Sequence, residues 1–540
     1  MLPDPRWTTG RQTTVSEGGL HEAVAAVARR RPDAVALLFE GRRISYAELD
    51  RTANAWAASL ARVGVGRGEI VPIRLARGPE LVISLLAVLK TGAAYALLDP
   101  SWPDAQVRDA VATLGAPLLI ADDASAGAET VWTPSWRITA ADFEPVAVDS
   151  ADPCCVFFTS GTTGEPKGVL TTHAATARLF EAGGFARFDE HTVMPLAAPV
   201  SWDAFSLELW SVLLSGGTSS IVAEPYLSAE ALRVGVAEHG VDSVWLTSSL
   251  FNVIVDEDAD AFTGVRQVMI GGERLSPEHV ARFLKVHPTI ALINGYGPVE
   301  SVVFATTHRI TGADTARSDG IPIGRPVPGT AIHVLNGDRP CAIGAPGEIC
   351  ISGDGLALRY LDDPALTAEK FTEIRLHGRP VRVYRTGDLG VWGANGLLRY
   401  LGRADRQVKI REHRVEPAEV ERQIERLSAV HRCRVVARRD AGGNATDLVA
   451  FCVPAEPGAP LEAELDSLRS TMVAYQSPAA LVPISDFPLT PQGKLDERAL
   501  LDLLPVESGR ACLQLTTRTR RMVPVPRLHH AAAQLQAVPR

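Results

Sequence analysis

The sequence predicts an α/β protein in which a large N-terminal domain of layered α/β subdomains precedes a small α+β C-terminal domain. Short apolar strands such as PLLIA (117–121) and CCVFFTS (154–160) alternate with helical segments in the first part of the chain. This alternation is typical of layered folds with largely parallel sheets. From about Gly396 the sequence becomes charged and strand-like. The length of 540 residues also exceeds that of one ordinary core, so we expect at least two domains.

Local patterns place several elements in order along the chain. AVALLFEG (34–41) has a strand pattern, and Ser45 and Glu48 then have capping-box spacing for a helix. Apolar residues follow at helical intervals: Leu49, Ala53, Trp56, Leu60 and Val63. A later helix begins at Pro417, in the favoured first turn. Its apolar face is formed by Val420, Ile424 and Leu427.

The change from apolar to charged, strand-like sequence predicts a domain boundary near Gly402–Asp405. We expect residues 1–402 to form the large domain and residues 403–505 the small one, which is a normal domain size. After Glu507 the tail contains six arginines, two histidines and no acidic residue. Residues 506–540 are compatible with a binding arm or with a poorly ordered basic end, and we assign them no function.

Composition and charge exclude several classes of protein. A hydrophobic content of 46% with 22% charged residues is globular, and the net charge of −9 gives no electrostatic reason for nucleic-acid binding. The longest apolar run, Leu81–Leu89, is too short to cross a membrane, and MLPDPRWTTG lacks the apolar core of a signal peptide. Seven cysteines without a C-x-x-C pair are typical of reduced thiols. We therefore expect a soluble cytoplasmic protein with no nucleic-acid or membrane partner.

The stretch TSGTTGEPKG (159–168) contains what a phosphate-binding loop requires. Its glycines allow close backbone approach, and its hydroxyls and lysine can face oxyanions. It does not have the spacing of a P-loop, because Gly161, Gly164 and Lys167 are three residues apart and Gly168 follows the lysine. Taken alone, the stretch is compatible with a phosphate grip or with a plain polar turn.

Motifs along the rest of the chain favour the phosphate grip. They occur in the order SYAEL, LKTGAAYALLDP, TSGTTGEPKG, WDAFSLELW, NGYGPVES, GEICISGDGLALRY, YRTGDL, GRADRQVKIREHRVEP and PLTPQGKLD. With them the chain resembles the acyl-adenylate-forming superfamily and, within it, the amino-acid adenylation domains of nonribosomal peptide synthetases, over about residues 20–505. The resemblance implies ATP-dependent formation of an acyl-AMP with release of pyrophosphate, and then a thioester on the phosphopantetheine arm of a carrier protein.

The resemblance also implies the residues that bind the nucleotide. The β- and γ-phosphates are expected to contact Thr159, Ser160, Gly161, Thr162, Thr163, Gly164 and Lys167. Asn294 is expected to hydrogen-bond the adenine, Tyr296 to stack on it, and Asp388 to accept both ribose hydroxyls. Gly297 is a further expected nucleotide-binding residue. Glu300 is the expected Mg²⁺ ligand, and Arg403 a further nucleotide contact.

Catalysis is assigned by the same resemblance to Lys494 in the loop PLTPQGKLD, with Thr162 and Glu300. A lysine on a mobile domain could reach both the substrate carboxylate and the α-phosphate. Asp405 resembles the hinge about which the small domain turns, although an aspartate there is equally compatible with a simple turn.

The substrate pocket is predicted around Asp203 in WDAFSLELW. In the amino-acid-activating branch this aspartate pairs with the α-ammonium group, and it is also a good helix cap. The other pocket positions implied by the family carry no charge or hydrogen-bonding group: Ala204, Leu207, Leu246, Met269, Gly271, Gly295, Val303 and Phe304. Since Gly271 and Gly295 leave room while the larger residues fill it, we expect an aliphatic side chain like that of valine or leucine. An aromatic or nonproteinogenic apolar amino acid stays open.

One departure from the family pattern concerns the second half-reaction. KIREHRVEP carries Glu412 where the family has glycine, on the strand lining the pantetheine route, where it could crowd the arm. No carrier motif follows Lys494, so we expect a free-standing enzyme with a separate carrier protein. Some relatives need a helper protein of the MbtH type, which the sequence does not decide. The alternatives are an acyl- or aryl-CoA synthetase, against which Asp203 argues, and an inactive adenylate-binding module, against which Lys494, Glu300 and Asp388 argue.

Overall fold

The computed structural model describes most of the chain up to residue 504. The described residues are 1–13, 18–116, 118–122, 130–138, 143–159, 167–181, 183–317, 319–376, 378–404, 407–410, 413–440, 443–456, 461, 464, 468–469, 472–488 and 497–504. They divide between two compact units, Met1–Phe487 and Pro488–Arg540. In the second unit the described helix is Glu497–Leu501.

The first unit is a mixed α/β structure of several sheets and packed helices, which confirms the predicted fold class. Its α-helices span Pro5–Thr8, Leu20–Arg30, Tyr46–Arg62, Pro79–Lys90, Asp104–Leu114, His173–Ala177, Asp203–Ser215, Ala229–Val234, Ser248–Asp258, Pro277–Val286, Gly312–Thr315, Pro364–Lys370 and Pro417–Glu425. Shorter helical turns span Arg178–Phe180, Gly235–His239, Ala259–Phe262 and Val299–Ser301. In the described part of the chain, no helix has the length and apolar character needed to cross a membrane.

Two large sheets have parallel centres. The first has the strand order Arg359–Tyr360, Lys167–Thr172, Pro153–Thr159, Ala94–Leu97, Ile70–Arg74, Leu119–Ala121 and Val131–Trp132. The second has the order Ser243–Thr247, Gln267–Gly271, Ala291–Tyr296, Thr306–Arg309 and Arg325–Pro326. Parallel pairing in the middle of both sheets fits the apolar strand sequences, because such strands are covered by helices on both faces.

The remaining sheets of this unit are smaller or antiparallel. One contains Arg42–Ser45, Val35–Phe39, Thr218–Ile221 and Val193–Leu196. Another contains Arg339–Pro340, Thr330–Asn336, Gly347–Gly353, Arg379–Trp392 and Phe371–Leu376, with Leu398–Arg403 paired to Arg379–Trp392. The residues that follow form the hairpin Val408–Ile410 with His413–Val415, and a sheet of Val430–Arg439, Ala445–Pro454 and Ala480–Pro483.

Local sequence signals correctly predict several element boundaries. Ser45 caps the helix Tyr46–Arg62, its hydroxyl accepting a hydrogen bond from the Glu48 N–H at 3.2 Å. Pro417 begins its helix as predicted, but the helix ends at Glu425, so the prediction that Leu427 lies on its apolar face is wrong. The prediction for Val63 is wrong, since this residue follows the helix and is 50% exposed. It lies where the chain leaves the helix, so the apolar face ends at Leu60.

The buried helix Asp203–Ser215 is fixed to the preceding loop by Glu208. This side chain is 1% exposed, and its Oε2 accepts hydrogen bonds from the backbone N–H groups of Ala197 and Ala198, both at 2.7 Å. Burial raises the pKa of Glu208 to about 8, against the opposing effect of these hydrogen bonds. The carboxyl group therefore holds the strand end after Leu196 against the helix that begins with Asp203.

Replacing Glu208 tests this anchor. Glu208→Ala leaves two buried N–H groups without an acceptor, so we expect a loss of about 3 kcal/mol in the free energy of unfolding. Glu208→Gln keeps one acceptor oxygen and should cost less. Urea denaturation followed by tryptophan fluorescence measures both, and equal effects of Ala and Gln would contradict the anchor.

The same pair of proteins tests the protonation of Glu208. Since its pKa is higher in the fold than in the unfolded chain, the folded state binds more protons and wild-type stability falls as the pH rises from about 5 to 8. Glu208→Gln lacks this dependence, so its stability relative to wild type should increase over the same range. A constant difference between the two proteins would show that Glu208 ionises normally.

Candidate active site

The predicted phosphate loop joins two antiparallel strands of the first large sheet. Thr159, the last residue of one strand, is paired in register with Lys167, the first residue of the next. Of the predicted site residues, Ser160, Gly161, Thr162, Thr163, Gly164, Asp405 and Lys494 lie outside the described residues, as does Glu412.

Lys167 lies in the electrostatic field of several charged groups. Burial lowers the pKa of its ammonium group, which the carboxylate of Glu416 opposes and the guanidinium of Arg414 reinforces. Glu300 and Asp363 also act to raise this pKa. The lysine from the phosphate loop and the predicted magnesium ligand therefore influence each other's charge.

Three of the predicted nucleotide residues are joined by hydrogen bonds. The Tyr296 hydroxyl donates to Asp388 Oδ2 at 2.6 Å, and Arg403 Nη1 donates to Asp388 Oδ1 at 2.8 Å. Desolvation and the nearby Asp388 charge raise the pKa of Tyr296, which keeps its hydroxyl a donor. Asn294, on the same strand as Tyr296, donates from Nδ2 to the Pro322 carbonyl at 2.8 Å. The structure thus brings together a carboxylate, an aromatic ring and an amide that were predicted to bind adenosine.

Glu300 is buried and held by three hydrogen bonds from two side chains. Its side chain is 1% exposed, Tyr360 donates to Oε1 at 2.6 Å, and Arg414 Nη1 donates to both oxygens at 2.9 and 3.0 Å. Burial alone would raise the pKa of Glu300, but the Arg414 charge and the Tyr360 hydroxyl hold it below its ordinary value. The carboxylate therefore stays ionised inside the protein.

Glu300 is the predicted magnesium ligand. Among the described residues, no group of three or more His, Cys, Asp or Glu side chains could by itself hold a metal ion. Mg²⁺ is commonly bound by one or two carboxylates together with substrate phosphates. Glu300 is ionised, as such a ligand must be, but Arg414 donates to both of its oxygens and Tyr360 to one of them, so a metal ion would have to replace part of this pairing.

Asp203 begins the helix Asp203–Ser215, whose cap position is Trp202. Its Oδ2 accepts a hydrogen bond at 2.8 Å from the backbone N–H of Val303, a hundred residues further along the chain. Desolvation raises the pKa of Asp203, while Lys409 is a charge that acts in the opposite direction. Lys409 itself donates to the Gly272 carbonyl at 2.9 Å. Within the described ranges, Asp203 makes no ion pair.

The other predicted pocket residues are all buried: Ala204, Leu207, Leu246, Met269, Gly271, Gly295, Val303 and Phe304. The room expected beside Gly295 is filled, because a Cβ on this glycine would overlap the ring of Phe304. At Gly271 a Cβ would lie 2.5 Å from the Gly295 carbonyl oxygen. The two glycines therefore allow close packing of strand and ring, and the expectation that they leave open space is wrong.

Two residues that contact Glu300 are not among the predicted site residues. Arg414 lies in KIREHRVEP, close to Glu412, and Tyr360 ends GEICISGDGLALRY. Both lie in motifs that carry the family resemblance, which is a signal for the site. Their common partner Glu300 is far away in sequence, so no local spacing could have connected them.

Comparison with known proteins agrees with this geometry. The family described as AMP-binding enzyme matches residues 24–361. The chain is 36% identical over 493 residues to a linear gramicidin synthase polypeptide of Brevibacillus parabrevis, a match that covers 89% of this chain and 6% of the relative. It is 35% identical over 483 residues to surfactin synthase subunit 3 of Bacillus subtilis (strain 168), a match that covers 87% of this chain and 37% of the relative. The chain thus spans only a minor part of these curated relatives.

Solved structures show the same likeness over nearly the whole chain. PA1221, described as a nonribosomal peptide synthetase protein containing adenylation and carrier (PCP) domains, matches with a TM-score of 0.83 and 31% identity, over 90% of this chain and 84% of its own. The fused adenylation–PCP protein NpsA-ThdA from Klebsiella oxytoca matches with a TM-score of 0.78 and 27% identity, over 87% of this chain and 94% of its own. The chain belongs to the AMP-binding enzyme family, as an adenylation domain of the nonribosomal peptide synthetase type.

Proposed function

We propose that the protein uses ATP to activate an apolar amino acid, with a side chain like that of valine or leucine, as aminoacyl-AMP with release of pyrophosphate. It then transfers the aminoacyl group to the phosphopantetheine thiol of a separate carrier protein. The observation that carries the substrate class is Asp203, a desolvated carboxylate without an ion pair in the described structure, beside buried apolar residues.

The chemistry of the pocket supports an amino acid over other carboxylic acids. An α-ammonium group beside Asp203 would restore the charged form that desolvation disfavours, whereas a fatty or aryl acid would leave the carboxylate without a cation. The buried side chains of Leu207, Leu246 and Met269 offer no partner to a polar side chain. A polar substrate would therefore lose its hydrogen bonds to water without replacement.

The nucleotide half of the proposal rests on Tyr296, Asp388, Arg403 and Glu300. Asp388 is positioned by hydrogen bonds from Tyr296 and Arg403, so its oxygens can exchange these donors for ribose hydroxyls. Lys167 would contact the outer phosphates, together with Thr159, Ser160, Gly161, Thr162, Thr163 and Gly164. Mg²⁺ bound at Glu300 would neutralise phosphate charge during pyrophosphate departure.

Catalysis and carrier loading extend beyond the described residues. We assign stabilisation of the pentacoordinate α-phosphate to Lys494. We also propose that residues 1–402 and 403–505 form the two domains, with a hinge at Asp405. The carrier is inferred from the similar proteins PA1221 and NpsA-ThdA, which are described as joining an adenylation domain to a carrier domain.

The substrate class is tested by ATP–pyrophosphate exchange with amino acids, their deaminated analogues and fatty acids. We expect exchange with valine or leucine and none with 3-methylbutanoate or decanoate. Asp203→Asn removes the charge that pairs with the ammonium group, so kcat/KM for the amino acid should fall roughly 100-fold. The ratio of kcat/KM for the amino acid to that for its deaminated analogue should be smaller in this variant than in wild type.

The matched control is Asp314→Asn, which alters a buried aspartate at the start of the helix Gly312–Thr315, a capping role unrelated to the pocket. It should leave exchange unchanged. Exchange by wild type with deaminated and amino acids alike would overturn the proposed substrate class.

Lys494→Ala tests the catalytic assignment. Removing the cation that stabilises the transition state should lower exchange by at least about 100-fold, without a shift of the urea midpoint. The exposed Lys285 provides the control, since Lys285→Ala removes the same charge from a helix surface. Near-normal exchange by the Lys494→Ala protein would refute the assignment.

Glu412→Gly tests whether the glutamate, which stands where the family has glycine, slows carrier loading. If the glutamate crowds the pantetheine arm, the glycine variant should load a holo carrier protein several-fold faster, because glycine permits closer backbone approach. Pyrophosphate exchange should stay constant, which separates the two half-reactions. Loading at the wild-type rate, measured with a radiolabelled amino acid, would exclude crowding by Glu412.

A further inference from the structure

Two consecutive valines at the edge of the substrate pocket have an unusual backbone conformation. Val302 and Val303 have φ angles of 51° and 59°, in the left-handed region. β-Branched residues rarely adopt this region, and each such residue is kept there only by strong surrounding contacts. The pair lies between the short helix Val299–Ser301 and the pocket residue Phe304.

A buried arginine holds the backbone on both sides of this pair. Arg178 has no exposed surface, and its Nη2 donates to the Ser301 carbonyl at 2.5 Å and to the Phe304 carbonyl at 3.2 Å. These carbonyl groups belong to the residue immediately before the two valines and to the residue immediately after them. One nitrogen atom thus fixes both ends of the strained segment.

The guanidinium lies directly against a glycine. A Cβ on Gly355 would overlap the guanidinium, because it would lie 2.1 Å from Arg178 Nη2. Burial lowers the pKa of Arg178 to about 9, which the charge of Asp354 opposes, so the side chain stays protonated at neutral pH. Burying an arginine is costly, and an apolar residue of the same size would avoid this cost but could not bind the two carbonyls.

The held segment controls two features of the pocket. The Val303 N–H donates to Asp203 Oδ2 at 2.8 Å, which orients the carboxylate expected to bind the substrate ammonium. The Phe304 ring covers Gly295 and packs edge-to-face on Phe185, with 5.4 Å between ring centroids. A change in the backbone of residues 301–304 would therefore alter both the ammonium site and the pocket wall.

We propose that Arg178 is a positioning residue for amino-acid selection. It holds the Val302–Val303 backbone so that the Val303 N–H meets Asp203 and the Phe304 ring closes the pocket. This inference rests on the proposed function of the pocket. It adds a residue that the substrate itself need not contact.

The test compares Arg178→Met with Arg382→Met in pyrophosphate exchange. Arg382 donates to the backbone carbonyls of Ala357 and Leu358 at 3.0 and 2.8 Å, so its replacement also removes two arginine–carbonyl bonds, but away from the pocket. We expect Arg178→Met to raise the KM for valine or leucine about tenfold or more, with the KM for ATP within about twofold of wild type. The preference for valine or leucine over alanine and phenylalanine should also weaken, and Arg178→Lys should restore part of both effects. Arg382→Met should change neither.

Gly355→Ala provides a second variant should Arg178→Met fail to fold. It keeps the arginine but places a methyl group where the guanidinium lies, so the same rise in amino-acid KM is expected. The inference would be overturned if a folded Arg178→Met protein kept the wild-type amino-acid KM and the wild-type preference among amino acids. If Arg178→Met does not fold, the same result with Gly355→Ala would overturn it. Wild-type exchange with the apolar amino acid would then leave the proposed function intact. If wild type exchanges with no amino acid, the proposed function fails and the selection role fails with it.

Discussion

The ion pair of Glu300 and Arg414 connects the strand that carries Asn294 and Tyr296 to the β-hairpin that carries Arg414. Glu300 follows the strand that carries Asn294 and Tyr296, and Arg414 lies on a short β-hairpin, 114 residues further along the chain. A carboxylate with 1% exposure needs a cation to stay ionised, and Arg414 supplies it on both oxygens. The hairpin is thereby held against the strand end that carries the predicted nucleotide residues, and the charges of Glu300 and Arg414 also act on Lys167.

Asp203 is compensated in a different way. Where Glu300 has a guanidinium and a phenol as donors, Asp203 has the Val303 backbone N–H and no ion pair in the described part of the chain. Its pKa is accordingly raised, while that of Glu300 is lowered. Of these two carboxylates, Glu300 already has a cationic partner and Asp203 has none in the described structure. Asp203 would therefore gain one from the ammonium group of an amino acid. This difference gives the pocket its proposed preference for an ammonium group.

The sequence predicts local structure well and long-range contacts poorly. The cap at Ser45 and the helix start at Pro417 depend on neighbouring residues, so their signals are visible in a short window. The bond between Tyr296 and Asp388 joins residues 92 positions apart, and only the family resemblance places these two residues in one site. Arg178 had no signal at all, because a buried arginine that binds carbonyls cannot be distinguished in sequence from an exposed one. Positive φ angles at two valines contradict residue preference and could not be foreseen.

The backbone around Phe304 also changes how the pocket residues should be interpreted. Glycines at 271 and 295 suggest a spacious pocket when only side-chain sizes are compared. In the structure the Phe304 ring packs directly on Gly295, so the space left by the missing side chain is filled by the ring and is not open to a substrate. Where the ring lies depends on the backbone of residues 301–304, whose ends are bound by Arg178. In the proposed pocket, the size of side chain that is accepted would therefore be set partly by an arginine outside the pocket, and a substitution at position 178 would change this size without altering any residue of the pocket.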